Sequence, residues 1–348
     1  MNIAELLLEW YDKNKRSLPW RGTKDPYPIW LSEIMLQQTR AETVKGYYRR
    51  FLERYADIHA LAAAESDEIL KMWEGLGYYS RARNLHKTAK IVSEGGGSFP
   101  CSVKELEKLP GIGPYAARAI ASIAWNECAP ALDGNQMRVI SRLLGISRIL
   151  KTPFDIENEA MEIISRSRPG DYNQALMDLG SAVCTPKKPN CTNCPLKGVC
   201  SAIEDGDPEF YPQRPAPISK KEEELTVFIV ECPGGIAIRR RSEGGLLGGL
   251  YEFPSAEGHL SESEATAVLS DMGFANPQAA KKLPDAKHVF THLIWKMKGI
   301  YCRAGTAPEG FIIADQAAFA ARAFPTALRK YHEIADELLR SIESDKQL

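Results

Sequence analysis

Four cysteines fall within seventeen residues, Cys184, Cys191, Cys194 and Cys200, in the spacing Cys-x6-Cys-x2-Cys-x5-Cys. Four thiolates this close along a chain can wrap one metal centre, either a tetrahedral zinc or an iron–sulfur cluster. Zinc modules usually present two Cys-x2-Cys knuckles with a longer spacer. Here there is one such knuckle, and all four ligands sit in one compact loop, which favours a 4Fe–4S cluster. The loop also carries Lys187, Lys188 and Lys197, so it could equally shape a basic surface suited to phosphates. The other cysteines, Cys101, Cys128, Cys232 and Cys302, are scattered and read as ordinary small residues.

At 348 residues and 44% hydrophobic composition, the chain is long enough for two domains and a core without disulfides. Apolar residues recur at three and four spacing in Ile3–Trp10, Trp30–Leu36, Ile69–Trp73 and Ala116–Ile123, which predicts helices. Turn-forming clusters mark loops over Gly22–Pro28, Gly95–Pro100 and Thr185–Pro195. Ser66 and Ser102 sit where caps are expected, the second before a short helix running to Leu109.

The character changes near residue 204. Residues 205–224, rich in Pro, Asp, Lys and Glu, read as a linker. Beyond it, Leu225–Glu231 and Ile236–Arg240 predict a hairpin through Cys232–Gly235. His288–Arg303 predicts one long strand bent near Lys298-Gly299. Helices are expected over Ser263–Met272 and Pro325–Ser341, so the second domain is α+β.

No apolar run of eighteen residues predicts a membrane span, and the N-terminus lacks the basic-then-apolar form of a signal peptide. The expected location is the cytoplasm, at the nucleoid, or the nucleus in a cell that has one. Net charge is −1; residues 1–204 hold 27 Lys and Arg against 24 Asp and Glu, and the remainder 17 against 21. Contacts to phosphates must therefore come from a local patch.

Two further motifs carry chemistry. Leu109-Pro110-Gly111-Ile112-Gly113-Pro114-Tyr115 lies between two predicted helices. Gly111 and Gly113 leave bare backbone N–H groups at a helix N-terminus, which suits a phosphate or simply makes a tight helix–helix turn. Leu132-Asp133-Gly134-Asn135 reads as an N-cap, or as a carboxylate held at the mouth of a pocket.

This order of turn, Asp and four-cysteine loop resembles the helix-hairpin-helix DNA glycosylases that carry an iron–sulfur cluster. The resemblance spans nearly the first two hundred residues. Two types share the layout, the endonuclease III type and the adenine DNA glycosylase (MutY) type, and four places favour the second. Tyr115 stands where the first type carries a Lys that forms a Schiff base with the sugar. Ser32-Glu33-Ile34-Met35-Leu36-Gln37-Gln38-Thr39 resembles the adenine enzyme's motif. So does Gly77-Tyr78-Tyr79, within Trp73–Arg81. Gly248-Gly249-Leu250-Tyr251-Glu252-Phe253-Pro254 resembles the opening of a Nudix fold, which the endonuclease III type lacks. Nudix hydrolases need a carboxylate-rich helix for Mg²⁺. Thr266–Asp271 keeps one such carboxylate, so this domain is expected to bind rather than hydrolyse.

The resemblance implies a multidomain chain. An all-α part, residues 1–204, holds a six-helix barrel over about residues 23–130 and a cluster domain from residues 1–22 plus 131–204. A Nudix-like domain, residues 225–348, reads 8-oxoguanine. The implied reaction is hydrolytic removal of adenine flipped from a duplex opposite 8-oxoguanine or guanine. Glu33 would be the acid and base, and Asp133 would stabilise the sugar cation or bond to it transiently. Asn135 and Tyr115 would orient Asp133 and the departing groups. Gln38 and Tyr78 would fill or wedge the gap in the duplex with Leu76 nearby, Thr39 would contact the DNA, and Trp20 and Arg21 would lie near the adenine. The lesion-reading loop, commonly Phe-Ser-His, is here Phe290-Thr291-His292, whose extra methyl adds bulk. The cofactor implied is a 4Fe–4S cluster on Cys184, Cys191, Cys194 and Cys200. The partner is mispaired duplex DNA, with no membrane, and the protein is expected to be a monomer. A bifunctional lyase and a non-catalytic DNA-binding protein with a metal clip are the competing readings.

Overall fold

The computed structural model describes residues 2–213, 215, 219–242 and 244–346. Arg214, Ala216, Pro217 and Ile218, in the segment expected as a linker, lie outside the described residues. The chain forms two compact units, Met1–Ala64 with Asn84–Pro217, and Glu65–Arg83 with Ile218–Leu348. No helix among the described residues is long and apolar enough to cross a membrane.

The first unit is helical. Ile3–Asn14, Pro26–Leu36 and Pro114–Trp125 contain the expected helices and extend them. The loop predicted over Gly22–Pro28 ends sooner than expected, because the Asp25 carboxylate accepts the Tyr27 N–H and caps a helix that begins at Pro26. Proline suits the first helical turn, where its missing N–H has no intrahelical partner. The short helix after Ser102 stops at Leu106 rather than Leu109; the Ser102 hydroxyl accepts the Glu105 N–H at 3.3 Å. Helix Pro169–Ala182 packs on both Ile3–Asn14 and Gly134–Leu144, in a core that holds Leu7, Tyr11, Val139, Ile140, Tyr172 and Leu176. Helix Pro26–Leu36 packs on Pro114–Trp125, and Tyr27 and every residue from Ile29 to Met35 are buried. A helix apolar on all sides belongs in a core, and this placement decides the environment of Glu33.

Among its described residues the second unit holds a mixed sheet of seven strands: β1 Lys221–Cys232, β2 Gly235–Arg240, β3 Tyr251–Glu252, β4 Ser255–Glu257, β5 Gln278–Val289, β6 Leu293–Arg303 and β7 Ile312–Ala314. Its order is β3-β2-β1-β6-β5, with β4 on β1 and β7 on β2. The β1–β2 hairpin forms as expected, pairing Cys232 with Gly235. β1 pairs in parallel with β6, from Lys221 opposite Leu293 to Glu231 opposite Arg303. Lys221–Glu224 are thus strand residues, four positions ahead of the predicted start. As the central strand, β1 is buried on both faces over Thr226–Val230. Val227 and Ile229 meet Tyr331, Ala335 and Leu339 of helix Arg329–Lys346, and Phe228 and Val230 meet Leu269 of helix Glu262–Asp271.

The single strand expected over His288–Arg303 is two strands. The chain turns at Phe290–His292, and β6 runs straight through Gly299. Gly299 is needed for space, since a Cβ there would lie 2.4 Å from the Tyr331 ring. Ser66 is the first residue of helix Ser66–Met72, and Glu65 takes the cap position. This segment is tied to the sheet domain: Lys71 Nζ donates to the Arg322 carbonyl, and the Glu74 carboxylate accepts the Phe324 N–H, each at 3.1 Å.

Candidate active site

Glu33 is 4% exposed, and its Oε2 has no hydrogen-bond partner among the described residues. A buried, incompletely solvated carboxyl resists ionisation. Burial pushes Glu33 up to about 7, a nearby Tyr115 hydroxyl and the Arg21 charge oppose the rise, and the Asp133 charge adds to it. Glu33 lines a recess with Trp20, Arg21, Arg16, Gln174 and Met177. Trp20 and Arg21, far from Glu33 in sequence, thus share one recess with it.

Tyr115 lies on the first turn of helix Pro114–Trp125. Its ring is partly exposed, but its hydroxyl is enclosed, 3.7 Å from Met177 Sδ. Burial raises its proton affinity well above the ordinary phenol, and the Glu33 and Asp133 charges raise it further. It therefore stays a neutral donor. Asp133 caps helix Gly134–Leu144, its Oδ1 accepting the N–H groups of Asn135 at 2.7 Å and Gln136 at 2.8 Å. Asn135 Nδ2 donates to Asp133 Oδ2 at 3.2 Å, and its own Oδ1 accepts from Arg138. Asp133 is partly exposed and lines a more open recess with Asn135 and Arg138. Asp133 is near enough to raise the proton affinity of Glu33 and of Tyr115, while the Glu33 carboxyl is dry and the Asp133 carboxylate wet.

In the glycine turn, Gly111 has φ +78°, and a Cβ there would lie 2.7 Å from Asn84 Cβ. Gly113 caps the following helix and faces open space. Just after Glu33's helix, exposed Gln38 has φ 56°; a non-glycine residue held in this left-handed region stores about 1–3 kcal/mol, which often marks functional sites. Thr39 sits beside it, with Oγ1 3.4 Å from the Gln37 carbonyl.

The second unit holds its own group. Tyr78 also has positive φ, 49°, and is 48% exposed. Its hydroxyl is 3.4 Å from Thr291 Oγ1. Tyr78 and Phe290–His292 line one cavity with Leu247 and Lys220. The Phe290 ring is fixed edge-on between His288 and Trp295. Leu76 is buried beside Tyr78, outside that cavity.

Cys184, Cys191, Cys194 and Cys200 are free thiols that line one recess. Burial raises the thiols of Cys191, Cys194 and Cys200, Cys194 to about 11. Among the described residues, no three His, Cys, Asp or Glu groups converge closely enough for one ion.

Several supporting residues gave no local sequence signal. Buried Asn173 donates to Ser122 Oγ and the Ala129 carbonyl, both at 2.9 Å, and accepts the Ala131 N–H, holding the strand-like approach to Asp133. Arg138 reaches the Cys184 carbonyl at 2.9 Å, and Arg142 reaches the Thr185 and Pro186 carbonyls at 2.7 and 2.9 Å. Asp178 binds Arg16 and Arg21. Glu252, in the Nudix-like stretch, is buried and paired with Arg239 and Arg241.

The profile of the helix-hairpin-helix (HhH-GPD) superfamily of base excision DNA repair proteins matches residues 31–166, and that of the NUDIX domain matches residues 226–333. The chain is 32% identical to the adenine DNA glycosylase of Mus musculus, over 95% of this chain and 77% of that protein. A thermostable thymine-DNA glycosylase superposes with a TM-score of 0.54 at 30% identity, over 58% of this chain and 95% of the other. An endonuclease III in non-covalent complex with DNA superposes at 0.51 and 25% identity, over 59% and 96%. With an endonuclease III-like helical part joined to a Nudix-like mixed sheet, the chain belongs to the adenine DNA glycosylase family, enzymes of base excision repair.

Proposed function

We propose that this enzyme hydrolyses the N-glycosidic bond of adenine mispaired with 8-oxoguanine, and with guanine, without cutting the strand. The observation that supports this most is the dry, half-satisfied carboxyl of Glu33 in a recess beside a wet, capped carboxylate, Asp133. Two carboxyls in unlike environments divide the roles of acid and charge stabiliser.

Glu33 gives its proton to adenine N7. The C1′–N9 bond breaks, its electron pair leaves with neutral adenine, and the sugar becomes oxocarbenium-like. Asp133, whose carboxylate accepts two backbone N–H groups and the Asn135 amide, faces that charge. Water attacks C1′ and returns a proton to Glu33. Tyr115 has no amine, so the abasic sugar forms no imine and the backbone stays intact. Flipping the base costs a few kcal/mol, less at a mispair. Gln38 is the proposed gap filler, Thr39 a DNA contact beside it, and the Gly111–Gly113 turn the phosphate contact. Tyr78 with Phe290, Thr291 and His292 would read 8-oxoguanine. The four cysteines fit a 4Fe–4S cluster, as soft thiol donors around one recess. When bound, the cluster supplies iron–thiolate bonds that clip this loop.

Asp133→Asn tests the mechanism cleanly, because Asn caps a helix about as well as Asp. We expect adenine excision to fall by about 10²–10³-fold, the usual scale for losing one charge-stabilising group. Thermal melting and mispair binding should stay near the parent's. Normal turnover in this variant would remove Asp133 from the reaction.

A further inference from the structure

Asp178 lies on helix Pro169–Ala182, with 1% of its side chain exposed. Four donors converge on it. Arg21 contributes Nη1 to Oδ2 at 2.5 Å and Nη2 to Oδ1 at 2.9 Å. Arg16 contributes Nε to Oδ1 at 2.5 Å and its backbone N–H to Oδ2 at 3.2 Å. Both arginines also line the Glu33 recess. One arginine would suffice to pair a buried carboxylate; the second leaves the trio with a net positive charge.

That charge has a consequence for the neighbouring acid. A cation within about 4–6 Å lowers a carboxyl's pKa by roughly 1–3 units. Two bare guanidinium groups on the recess wall would ionise the group that has to deliver a proton. We propose that Asp178 is a positioning residue: its buried carboxylate fixes Arg16 and Arg21 at the wall of the Glu33 recess and cancels charge they would otherwise present to Glu33. The proposal rests on the reading of Glu33 as the acid of adenine removal.

The charged and titratable groups facing Glu33 are Tyr115 from helix Pro114–Trp125, Asp133 from the cap of Gly134–Leu144, and, from the segment after Ile3–Asn14, Arg21 with Arg16 on the recess wall. Arg21 exerts its lowering influence with both terminal nitrogens already on Asp178. Burial alone would raise Asp178, but the two arginines outweigh it and keep it ionised, so its countercharge is permanent near neutrality.

A purely structural staple between residues 16–21 and helix Pro169–Ala182 would show the same bonds, so the test reads protonation. The protonated-carboxyl infrared band of Glu33, identified by its loss in Glu33→Gln, is titrated in the cluster-loaded protein. Single-turnover adenine excision is measured over the same pH range. In Asp178→Asn the band's midpoint and the alkaline limb of excision should both move down by about one pH unit. Asp178→Glu should restore both. Adding Arg21→Gln to Asp178→Asn should return the midpoint toward the parent's. If Asp178→Asn fails to fold, Arg21→Gln alone carries the test and should raise the midpoint. A midpoint unchanged by either substitution, with excision lowered equally at every pH, overturns the proposal. A shifted midpoint in a protein that releases no adenine would sink the proposed reaction and leave the role of Asp178 standing.

Discussion

Glu33→Gln is expected to lower single-turnover adenine excision by about 10²–10⁴-fold, the range over which a positioned general acid accelerates a reaction. The substitution keeps the shape of a side chain packed inside the buried stretch Ile29–Met35. An amide cannot deliver the proton that makes adenine a neutral leaving group. Affinity for the mispaired duplex should change little, since Glu33 lies in an interior recess and binding rests chiefly on phosphate contacts. The parent's rate should fall as pH rises through about 7, because burial holds the Glu33 proton up to that value. A variant that keeps the parent's rate, or a parent with no alkaline limb, would exclude Glu33 as the acid.

The same substitution should stabilise the protein at alkaline pH. Burial raises Glu33 from an ordinary 4.5 to about 7 in the folded chain. Below 4.5 both folded and unfolded forms hold the proton, and Glu33 adds no pH dependence. Between the two values the unfolded form releases its proton while the folded form keeps it, so stability falls as pH rises. Above about 7 the full penalty stands, about 3 kcal/mol at ~1.36 kcal/mol per unit. Gln bears no charge at any pH. Glu33→Gln should therefore unfold with nearly the parent's free energy at pH 5 and with about 3 kcal/mol more at pH 8. Denaturant melts of both proteins at the two pH values check this. Parallel pH dependence would show that Glu33 ionises freely in the folded state. One substitution that removes activity and adds stability is the mark of a strained catalytic group.

The features legible in the sequence were those written in contiguous residues. The four cysteines, the Gly111–Gly113 turn and the Glu33 motif each announce themselves within a few positions, and local capping kept Asp133 at a helix start. Strand β5 was not legible. Pro284, Asp285 and lysines interrupt its pattern, it carries two register shifts, and its residues alternate between exposed and half-buried rather than buried and exposed. Lys221–Glu224 read as linker because their charges face solvent. Their strand character comes from pairing with Leu293–Lys296, seventy positions away. Gly299 looked like a bend because the ring it admits, Tyr331, is remote in sequence. The supports of the site escaped for the same reason. Asp178 meets Arg16 across 162 positions and Arg138 meets the Cys184 carbonyl across 46, and neither pair has a local signature.

The central claim is tested most directly by single-turnover treatment of an end-labelled duplex holding adenine opposite 8-oxoguanine, with adenine opposite guanine in parallel, each analysed with and without hot alkali. The account predicts strand breaks at the adenine that form only after alkali, faster opposite 8-oxoguanine than opposite guanine. Breaks that form without alkali would contradict the assignment of Tyr115 as a residue that forms no imine, and an absence of adenine release from both duplexes would contradict the account as a whole.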